Sequence, residues 1–396
     1  MKKFIILIVI IMFNCLNAQT KFNIKPTNGP YGGYTWSFCY DSSTKDLYLN
    51  ADHIYKLNRT TNQWEKHFTE LDTQKYYNFD IIYADSIYFL KYVLGHDDQV
   101  WGGGLFRSTD KGKSWKEVDD RYLDFLDIIS TKNKYLFGTG GSWETVHRSL
   151  DYGETWVECT NGIDSAALAD GFSQLDKITV ADTDYLFLRG WDSGIYRSTN
   201  YGDLWEKISD SLPKSQYSSL TNYTAMTATI DKKLYVASDA GIFRSTDYGN
   251  TWVKLINGLT NYVLYGMEFL KSDKFGNIYS GAYSLGINRM NHNDTTWHLI
   301  SNRLVPKSTY DLFFDEQNNS IYAATDCGVY KTTNNGDNWF FFNEGIKIPI
   351  EIKCLATTKD GGVFAGTVRN GIYYSSDKGN KWVTANNGIS DSEIYP

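Results

Sequence analysis

Tryptophans that lie close to carboxylates are the residues of this sequence with the clearest capacity for ligand chemistry. Three tryptophans and four acidic residues fall in three successive segments, and a tyrosine holds a comparable place further on: Trp101, Trp143, Trp191, Asp97, Asp98, Glu144, Asp192 and Tyr283. An indole ring stacks on the apolar face of a sugar, and a carboxylate accepts hydrogen bonds from the sugar hydroxyls. This pattern predicts a ligand-binding surface. The alternative is that these rings fill gaps between packed elements.

A row of arginines is a second candidate, because several arginines together can bind a ligand carboxylate. They are Arg107, Arg148, Arg197, Arg244 and Arg289. Each arginine holds the same place in an internal repeat, and other copies have Lys56, Lys331 or Tyr374 at that place. A residue that follows the repeat is expected to serve the scaffold. The arginines are therefore predicted to be strand residues whose charged ends reach toward solvent.

Other catalytic chemistry finds little support. The six histidines have no metal-ligand spacing, and no Gly-x-Ser-x-Gly motif is present. A glycosidase needs two carboxylates at a set separation, but no rule selects a pair from 46 acidic residues. We therefore expect no metal and no cofactor, and the sequence assigns no catalytic residue. If the chain is an enzyme, glycoside hydrolysis is the expected reaction.

The elements that would position these residues come from a twelve-residue repeat. Its clearest copy, Gly241–Trp252, reads GIFRSTDYGNTW. Six copies share an acidic or amide residue, which is Asp110, Asp151, Asn200, Asp247, Asn334 or Asp377. They end at Trp115, Trp156, Trp205, Trp252, Trp339 and Trp382, and worn copies end at Trp64 and Trp297. Successive tryptophans lie 41 to 51 residues apart, which suits one four-stranded sheet per repeat.

The repeat has a physical explanation as a hairpin. Residues alternate before the turn, as in a strand: Ile242 and Arg244 share one side, and Phe243 shares the other with Ser245. The Asp or Asn side chain accepts hydrogen bonds from turn amides, and the glycine adopts a positive φ. The tryptophan starts the outgoing strand and anchors the hairpin. The box is thus predicted to join the third and fourth strands of each sheet.

Eight such units predict an all-β chain, a single β-propeller over residues 33–396 with about eight four-stranded blades, or seven as the alternative. Ser390–Tyr395 looks like the start of a further first strand, which would either close the ring or indicate a fragment of a longer chain. Cys39 and Cys354 hold similar places in the first and last units. If the ring closes between these units, the two cysteines are expected on neighbouring inner strands.

These boxes resemble the Asp-box, or bacterial neuraminidase, repeat, whose pattern is Ser/Thr-x-Asp-x-Gly-x-x-Trp. The resemblance covers nearly the whole chain after residue 33 and implies the propeller fold, with the box as scaffold. Sialidases, xyloglucan-degrading enzymes, a photosystem assembly factor and sortilin-type receptors carry such boxes. The extended form with Gly-Ile-Tyr-Arg ahead of the box is most similar to the xyloglucanase and assembly-factor types. Sialidases also carry an Arg-Ile-Pro segment, which this sequence lacks.

The N-terminus predicts export. Lys2 and Lys3 precede an apolar run, and a small residue, Ala18, lies at the expected cleavage position. Residues 1–18 are thus predicted to be a signal peptide and residues 19–32 a linker. Cys15 offers a lipoprotein anchor as the alternative. A secreted, periplasmic or cell-surface monomer without a transmembrane span is expected. The net charge of −7 argues against a nucleic-acid partner.

Topology then selects a face. In a propeller, the loops between second and third strands lie opposite the Asp-boxes, and Trp101, Trp143 and Trp191 fall in those loops. The leading hypothesis is a non-catalytic propeller that binds a polysaccharide or a protein through this face. The alternatives are a glycoside hydrolase of the xyloglucanase type and an assembly or scaffold factor.

Overall fold

Short antiparallel strands form almost the whole fold, because the repeat alternates apolar and polar residues between tight turns. The computed structural model describes residues 35–51, 53–67, 76–94, 103–118, 125, 127–139, 145–180, 183–190, 193–213, 221–259, 267–282, 286–301, 308–344, 352–358, 362–367, 371–377 and 381–385. Within them, thirty-two strands form eight four-stranded sheets, and each sheet uses four consecutive strands paired in chain order.

The first four sheets span the first half of the chain. The first holds β1 (Ser37–Asp41), β2 (Asp46–Asn50), β3 (Ile54–Asn58) and β4 (Gln63–Lys66). The second holds β5 (Tyr76–Ala84), β6 (Ile87–Leu94), β7 (Gly103–Ser108) and β8 (Lys116–Glu117). The third holds β9 (Asp127–Ser130), β10 (Leu136–Thr139), β11 (Val146–Ser149) and β12 (Val157–Glu158). The fourth holds β13 (Phe172–Val180), β14 (Thr183–Gly190), β15 (Ile195–Ser198) and β16 (Glu206–Lys207).

The last four sheets follow the same plan. The fifth holds β17 (Tyr223–Ala228), β18 (Leu234–Ser238), β19 (Gly241–Ser245) and β20 (Val253–Lys254). The sixth holds β21 (Met267–Ser272), β22 (Ile278–Ala282), β23 (Gly286–Met290) and β24 (Trp297–Leu299). The seventh holds β25 (Thr309–Asp315), β26 (Ser320–Thr325), β27 (Gly328–Thr332) and β28 (Phe340–Phe341). The eighth holds β29 (Ile352–Thr357), β30 (Val363–Thr367), β31 (Ile372–Ser375) and β32 (Val383–Thr384). Among the described residues, one short helix, α1 (Ser165–Asp170), and a 3-10 turn, Ser209–Ser211, lie in connectors.

The sheets stack face to face because both faces of a sheet are apolar. In β14, Leu186 and Leu188 pack with Phe137 of the third sheet. Phe187 points the other way and packs with Val236 of the fifth sheet. Stacked sheets with consecutive inner strands are the architecture of a propeller. The predicted all-β propeller with about eight four-stranded units is therefore confirmed.

The terminal tryptophan of several repeats joins its sheet to the one before it by hydrogen bonds. Trp205 Nε1 donates to the carbonyl oxygen of Cys159 at 2.8 Å, and its backbone N–H donates to that of Asn161 at 2.9 Å. Trp297 repeats this on Leu255 and Asn257, at 3.0 and 2.8 Å. The indole thus fills the gap between two sheets and also fixes their relative height.

The arginine row makes a second set of contacts between sheets, at the Asp-box end. Arg148 Nη1 donates to the carbonyl oxygen of Tyr201 at 2.7 Å, and Arg197 Nη1 donates to that of Tyr248 at 3.0 Å. Each acceptor lies in the box turn of the following sheet, where Tyr201 and Tyr248 have φ values of 56° and 59°. These arginines therefore serve the scaffold.

The box itself is a closed hydrogen-bonded turn. Ser245 Oγ donates to Asp247 Oδ1 at 2.7 Å, and the N–H of Gly249 donates to Ser245 Oγ at 2.7 Å. The N–H of Thr251 donates to Asp247 Oδ1 at 2.8 Å. Gly249 has φ +96°, and a Cβ there would lie 2.3 Å from Ile208 Cδ1, so only glycine fits. In the fourth sheet, Asn200 Oδ1 accepts the N–H of Leu204 at 3.0 Å in the same way.

The ring closes between the first and seventh sheets. Trp64 Nε1 donates to the carbonyl oxygen of Phe342 at 3.0 Å, and its N–H donates to that of Glu344 at 2.7 Å. One face of the seventh sheet packs on the first sheet, through Tyr322, and the other packs on the sixth sheet. The eighth sheet therefore does not lie between the seventh and the first.

This closure corrects the expectation for the cysteines. The inner strand next to β1 at the closing junction is β25, since the N–H of Phe38 donates to Asp311 Oδ2 at 2.8 Å. Cys39 and Cys354 are free thiols. The segment Ser390–Tyr395, which was expected to start another first strand, lies outside the described residues.

We predict that the indole hydrogen bond stabilises the stack measurably. Trp205→Phe keeps an aromatic ring but leaves the Cys159 carbonyl unpaired, and a buried unpaired group costs about 1–3 kcal/mol. Trp252→Phe is the matched control, since the Trp252 Nε1 has no hydrogen-bond partner within the described chain. Urea denaturation should show a larger loss of unfolding free energy for Trp205→Phe. Equal losses would contradict a role for this bond.

Candidate functional site

The eight residues predicted to form a binding surface fall in connections between second and third strands, or close to them. Their positions follow from the flanking strands. Asp97, Asp98 and Trp101 fall between β6 and β7, Trp143 and Glu144 between β10 and β11, Trp191 and Asp192 between β14 and β15, and Tyr283 between β22 and β23. All eight lie outside the described residues. The strands and turns that flank them form the frame that carries them.

The frame brings the three tryptophan-bearing connections to one end of adjacent sheets. The second and third sheets pack together through Phe89 and Trp156, and the third and fourth pack through Phe137 and Trp205. In each antiparallel sheet, the connection between second and third strands lies at the end opposite the Asp-box turn. We call this end of the second, third and fourth sheets the tryptophan face.

The connection that carries Trp143 has a fixed base. Thr139 and Thr145 flank it, and Thr139 Oγ1 donates to the carbonyl oxygen of Thr145 at 3.3 Å. The same hydroxyl lies 3.2 Å from the carbonyl oxygen of Phe172, at the start of the fourth sheet. Thr139 is fully buried. This connection is therefore tied both to itself and to the next sheet.

The connection that carries Trp191 is fixed more tightly. The N–H of Gly190 donates to the carbonyl oxygen of Gly194 at 3.0 Å and closes a short loop. Ser193 Oγ lies 3.2 Å from the carbonyl oxygen of Ala167 and 3.4 Å from that of Gly171. A Cβ at Gly190 would lie 2.7 Å from Ser193, so a larger residue would open this base. The loop thus rests against the connector that contains α1.

Helix α1 contacts the base of the Trp191 connection, where Ser193 Oγ lies close to the Ala167 carbonyl oxygen. Asp164 caps it by accepting the N–H of Ala167 at 2.8 Å, and Asp164 also accepts the hydroxyl of Tyr196 at 2.6 Å. The Tyr196 hydroxyl, and then the Ala167 N–H, lower the pKa of Asp164. Ala167 is buried, whereas Ser165 and Ala166 are exposed. The helix therefore presents exposed residues beside Ser193, at the base of the Trp191 connection.

Carboxylates also line the inner strands near the axis, and they brace neighbouring sheets. Asp127 Oδ2 accepts the N–H of Leu175 at 3.0 Å, and Asp176 Oδ2 accepts that of Ala228 at 2.6 Å. Asp311 makes the corresponding bond to Phe38 across the closing junction. The second oxygen of Asp176 accepts the N–H of Lys177 at 2.7 Å. These carboxylates are therefore occupied by backbone donors.

Burial raises the pKa of two of these acids. Burial raises the pKa of Asp176 to about 7, against the hydrogen bonds from Lys177 and Ala228 that favour the charged form. Burial raises the pKa of Asp127 as well. An acid that titrates near neutral pH has the protonation behaviour of a general acid or base. Asp176 accepts the N–H of Ala228, however, and this bond shows that it holds the fourth and fifth sheets together.

A cavity of 360 Å³ lies at the inner strands of the first three sheets. Its polar lining includes Ser37, Asn50, Tyr83 and Asp127. Asn50 Nδ2 donates to Ser37 Oγ at 2.8 Å, and Asn50 Oδ1 accepts the N–H of Ile81 at 3.0 Å. Three of these polar side chains, Ser37, Asn50 and Asp127, are thus already hydrogen-bonded to the scaffold.

The inner-strand braces were missed from sequence because their spacing is irregular. Asp127, Gln174 and Asp311 all hold the same register position, since each bonds the next inner strand in the same way. Yet they precede their box hydroxyl residues, Ser149, Ser198 and Thr332, by different numbers of residues. Aligning the units by strand pairing, and not by residue count, would have revealed them.

Comparisons with known proteins agree with the propeller fold. No protein-family model and no curated protein sequence matches this chain. A GH74 xyloglucanase from Xanthomonas campestris is similar in structure, with TM-score 0.61 and 13% identity over 91% of this chain and 68% of that one. An ancestral GH74 enzyme gives TM-score 0.63 and 15% identity over 90% of this chain and 55% of that one. This chain thus spans roughly half to two thirds of these enzymes.

Smaller propellers match over most of their own length. YCF48, solved bound to a D1 peptide, gives TM-score 0.52 and 14% identity over 78% of this chain and 97% of that one. The virginiamycin B lyase from Staphylococcus aureus gives 0.54 and 15% over 77% of this chain and 96% of that one. At these identities the likeness establishes the fold alone. Among the described residues, no helix has the length and apolar character needed to cross a membrane.

We predict that Asp176 makes stability depend on pH. Its folded pKa of about 7 lies above the unfolded value of roughly 4, so the folded state holds an extra proton between these values. Stability should therefore fall as pH rises from about 4 to 7. Asp176→Asn should flatten this part of the profile in urea denaturation, whereas Asp337→Asn, at an exposed box turn, should leave it unchanged. An unaltered slope in Asp176→Asn would refute the assignment.

Proposed function

We propose that this chain is a secreted or cell-surface propeller that binds a polysaccharide or a protein through the tryptophan face and catalyses no reaction. One observation carries the proposal: connections bearing Trp101, Trp143 and Trp191 leave three adjacent sheets at the same end. Neighbouring units would present their rings side by side, which suits a long ligand better than a small one. The fixed bases at Thr139 and Ser193 support pre-organised loops, which lower the entropy lost on binding.

The absence of catalysis is supported by how the axial acids are used. Asp127, Asp176 and Asp311 accept backbone N–H groups from neighbouring strands. A carboxylate that moved to attack a substrate would release such a bond and leave a backbone group unpaired. If these three carboxylates take no part in catalysis, the described inner strands serve only as a scaffold.

Export rests on the N-terminal sequence. Lys2 and Lys3, the apolar run after them and Ala18 form the three parts of a signal peptide. Cys15 would place the chain on the cell surface if it were lipidated instead. Either route would take the chain to the periplasm, the cell surface or the medium, where polysaccharides are available as ligands.

The second candidate is a glycoside hydrolase of the xyloglucanase type. It is favoured by the likeness to two GH74 enzymes and by the near-neutral pKa of Asp176. A third, an assembly or scaffold factor, is favoured by the likeness to YCF48 in complex with a peptide. Both would use the same fold, so binding and product release must be measured together.

We predict that Trp101→Ala, Trp143→Ala and Trp191→Ala combined will abolish retention of the protein in native gels containing its polysaccharide. Three stacking rings at about 1 kcal/mol each should together weaken binding about a hundredfold. Phe275→Ala is the control, because Phe275 is an aromatic residue 65% exposed in a turn at the opposite, Asp-box end. Thermal unfolding of the triple variant should match that of the wild type.

The same native-gel comparison, together with an assay for released sugar, separates the alternatives. A wild type that migrates more slowly, with a triple variant that migrates equally slowly, would contradict binding through the tryptophan face. Release of reducing sugar by the wild type would establish the hydrolase instead. If no polysaccharide retards the wild type, a peptide or protein ligand that is lost in the triple variant would establish the protein-binding form of the proposal.

A further inference from the structure

The seventh sheet offers a docking surface that two parts of the chain are built to occupy. We call it the closing face: it comprises the side chains of Tyr322, Ala324 and Val329 and the carbonyl groups of Phe342 and Glu344. In the structure the first sheet covers it, since Leu47, Leu49 and Trp64 pack there among other residues. The spacing of the repeat indicates which sheet fits the closing face.

A register rule holds at three of these junctions. There the indole donates to the carbonyl three residues after the tryptophan of the preceding unit: Trp205 to Cys159, Trp297 to Leu255 and Trp339 to Ile300. The Nε1 atoms of Trp156 and Trp252 have no hydrogen-bond partner among the described residues. Three residues after Trp339 stands Phe342. By this rule, the Phe342 carbonyl belongs to the next unit along the chain, whose tryptophan is Trp382. It is held instead by Trp64, at 3.0 Å.

The eighth sheet is built as a complete unit of the ring. Ser375 Oγ donates to Asp377 Oδ1 at 2.9 Å, and the N–H of Lys381 donates to the same oxygen at 2.8 Å. The N–H of Ala385 donates to the carbonyl oxygen of Ile372 at 2.8 Å, as in the other sheets. The first sheet departs further from the pattern, since its turn uses Asn58 Oδ1 to accept the N–H of Thr61 at 3.1 Å.

The eighth sheet also exposes the position that the other sheets bury against their predecessor. Leu355 pairs with Ala365, just as Leu175 pairs with Leu188 and Leu312 with Ala323. Leu175 and Leu312 are 3% and 1% exposed in the junctions with the preceding sheets. Leu355 is 66% exposed. The face that would meet the seventh sheet is therefore uncovered at this leucine.

We propose that the eighth sheet is an alternative occupant of the closing face and competes there with the first sheet. When it docks, Trp382 takes the Phe342 carbonyl, Leu355 is buried and the first sheet is released. A ring of the second to eighth sheets then has the same number of blades as the ring of the first to seventh. The closing junction is thus a site of exchange within the chain.

A double-variant cycle tests this exchange by urea denaturation of the full chain. Trp64 and Trp297 make equivalent indole hydrogen bonds of 3.0 Å at their own junctions. If the eighth sheet replaces the first, Trp64→Ala should lower the unfolding midpoint less than Trp297→Ala. Trp382→Ala alone should have a small effect, and Trp64→Ala with Trp382→Ala should lower the midpoint by more than the two single shifts combined. Trp297→Ala with Trp382→Ala is the control and should be additive. Additivity in both pairs would overturn the proposal.

Hydrogen exchange gives an independent measurement and does not require a large loss of stability. The Phe38 N–H donates to Asp311, and docking of the eighth sheet would give that acceptor to the Leu355 N–H. In Trp64→Phe, exchange should become faster around Phe38 and slower around Leu355. Trp297→Phe should leave both segments unchanged. If Phe38 exchanges faster in Trp64→Phe while Leu355 is not protected, the first sheet frays without replacement and the proposal fails.

Discussion

Apolar residues on both faces of every sheet are the constraint on which the rest of this structure depends. A sheet with two apolar faces needs a neighbour on each side, so stacking continues until the last unit meets the first. The tryptophan of each unit turns this general need into a defined geometry. Its ring fills the gap between sheets, and in Trp205, Trp297 and Trp339 the indole N–H also bonds one carbonyl of the preceding sheet. Hydrophobic burial drives the stacking, and this hydrogen bond fixes the position of one sheet relative to the next.

Polar groups follow from the same arrangement. Strands that fan out from an axis cannot form backbone ladders with the next sheet, so side chains must bridge the inner strands. Asp127, Gln174 and Asp311 do so by accepting a backbone N–H from the adjacent strand. The arginines also bridge neighbouring sheets near the box turns, but they do so by donating to backbone carbonyl oxygens. Charged residues that resemble a binding site in a linear reading are thereby used to hold the ring, which leaves recognition to the loops.

The sequence was sufficient to predict the units, because the box is a local feature in which a hydroxyl, a carboxylate or amide, and a glycine all bond within one turn. It could not predict which units meet, since Trp64 and Trp382 have equivalent positions in their repeats. Only the three-dimensional structure shows that Trp64 holds Phe342. The position of the candidate loops was also predictable from strand order. The fixed base at Ser193 was not, because it depends on a six-residue helix whose segment carries no periodic signal.

Each sheet consists of one uninterrupted stretch of chain, and no strand is borrowed to complete another. Duplication or loss of a whole unit therefore leaves every remaining unit intact and changes only the partner at one junction. The number of repeats and the number of blades in the ring are therefore separate quantities. In this chain eight sheets are described, and seven of them close the ring.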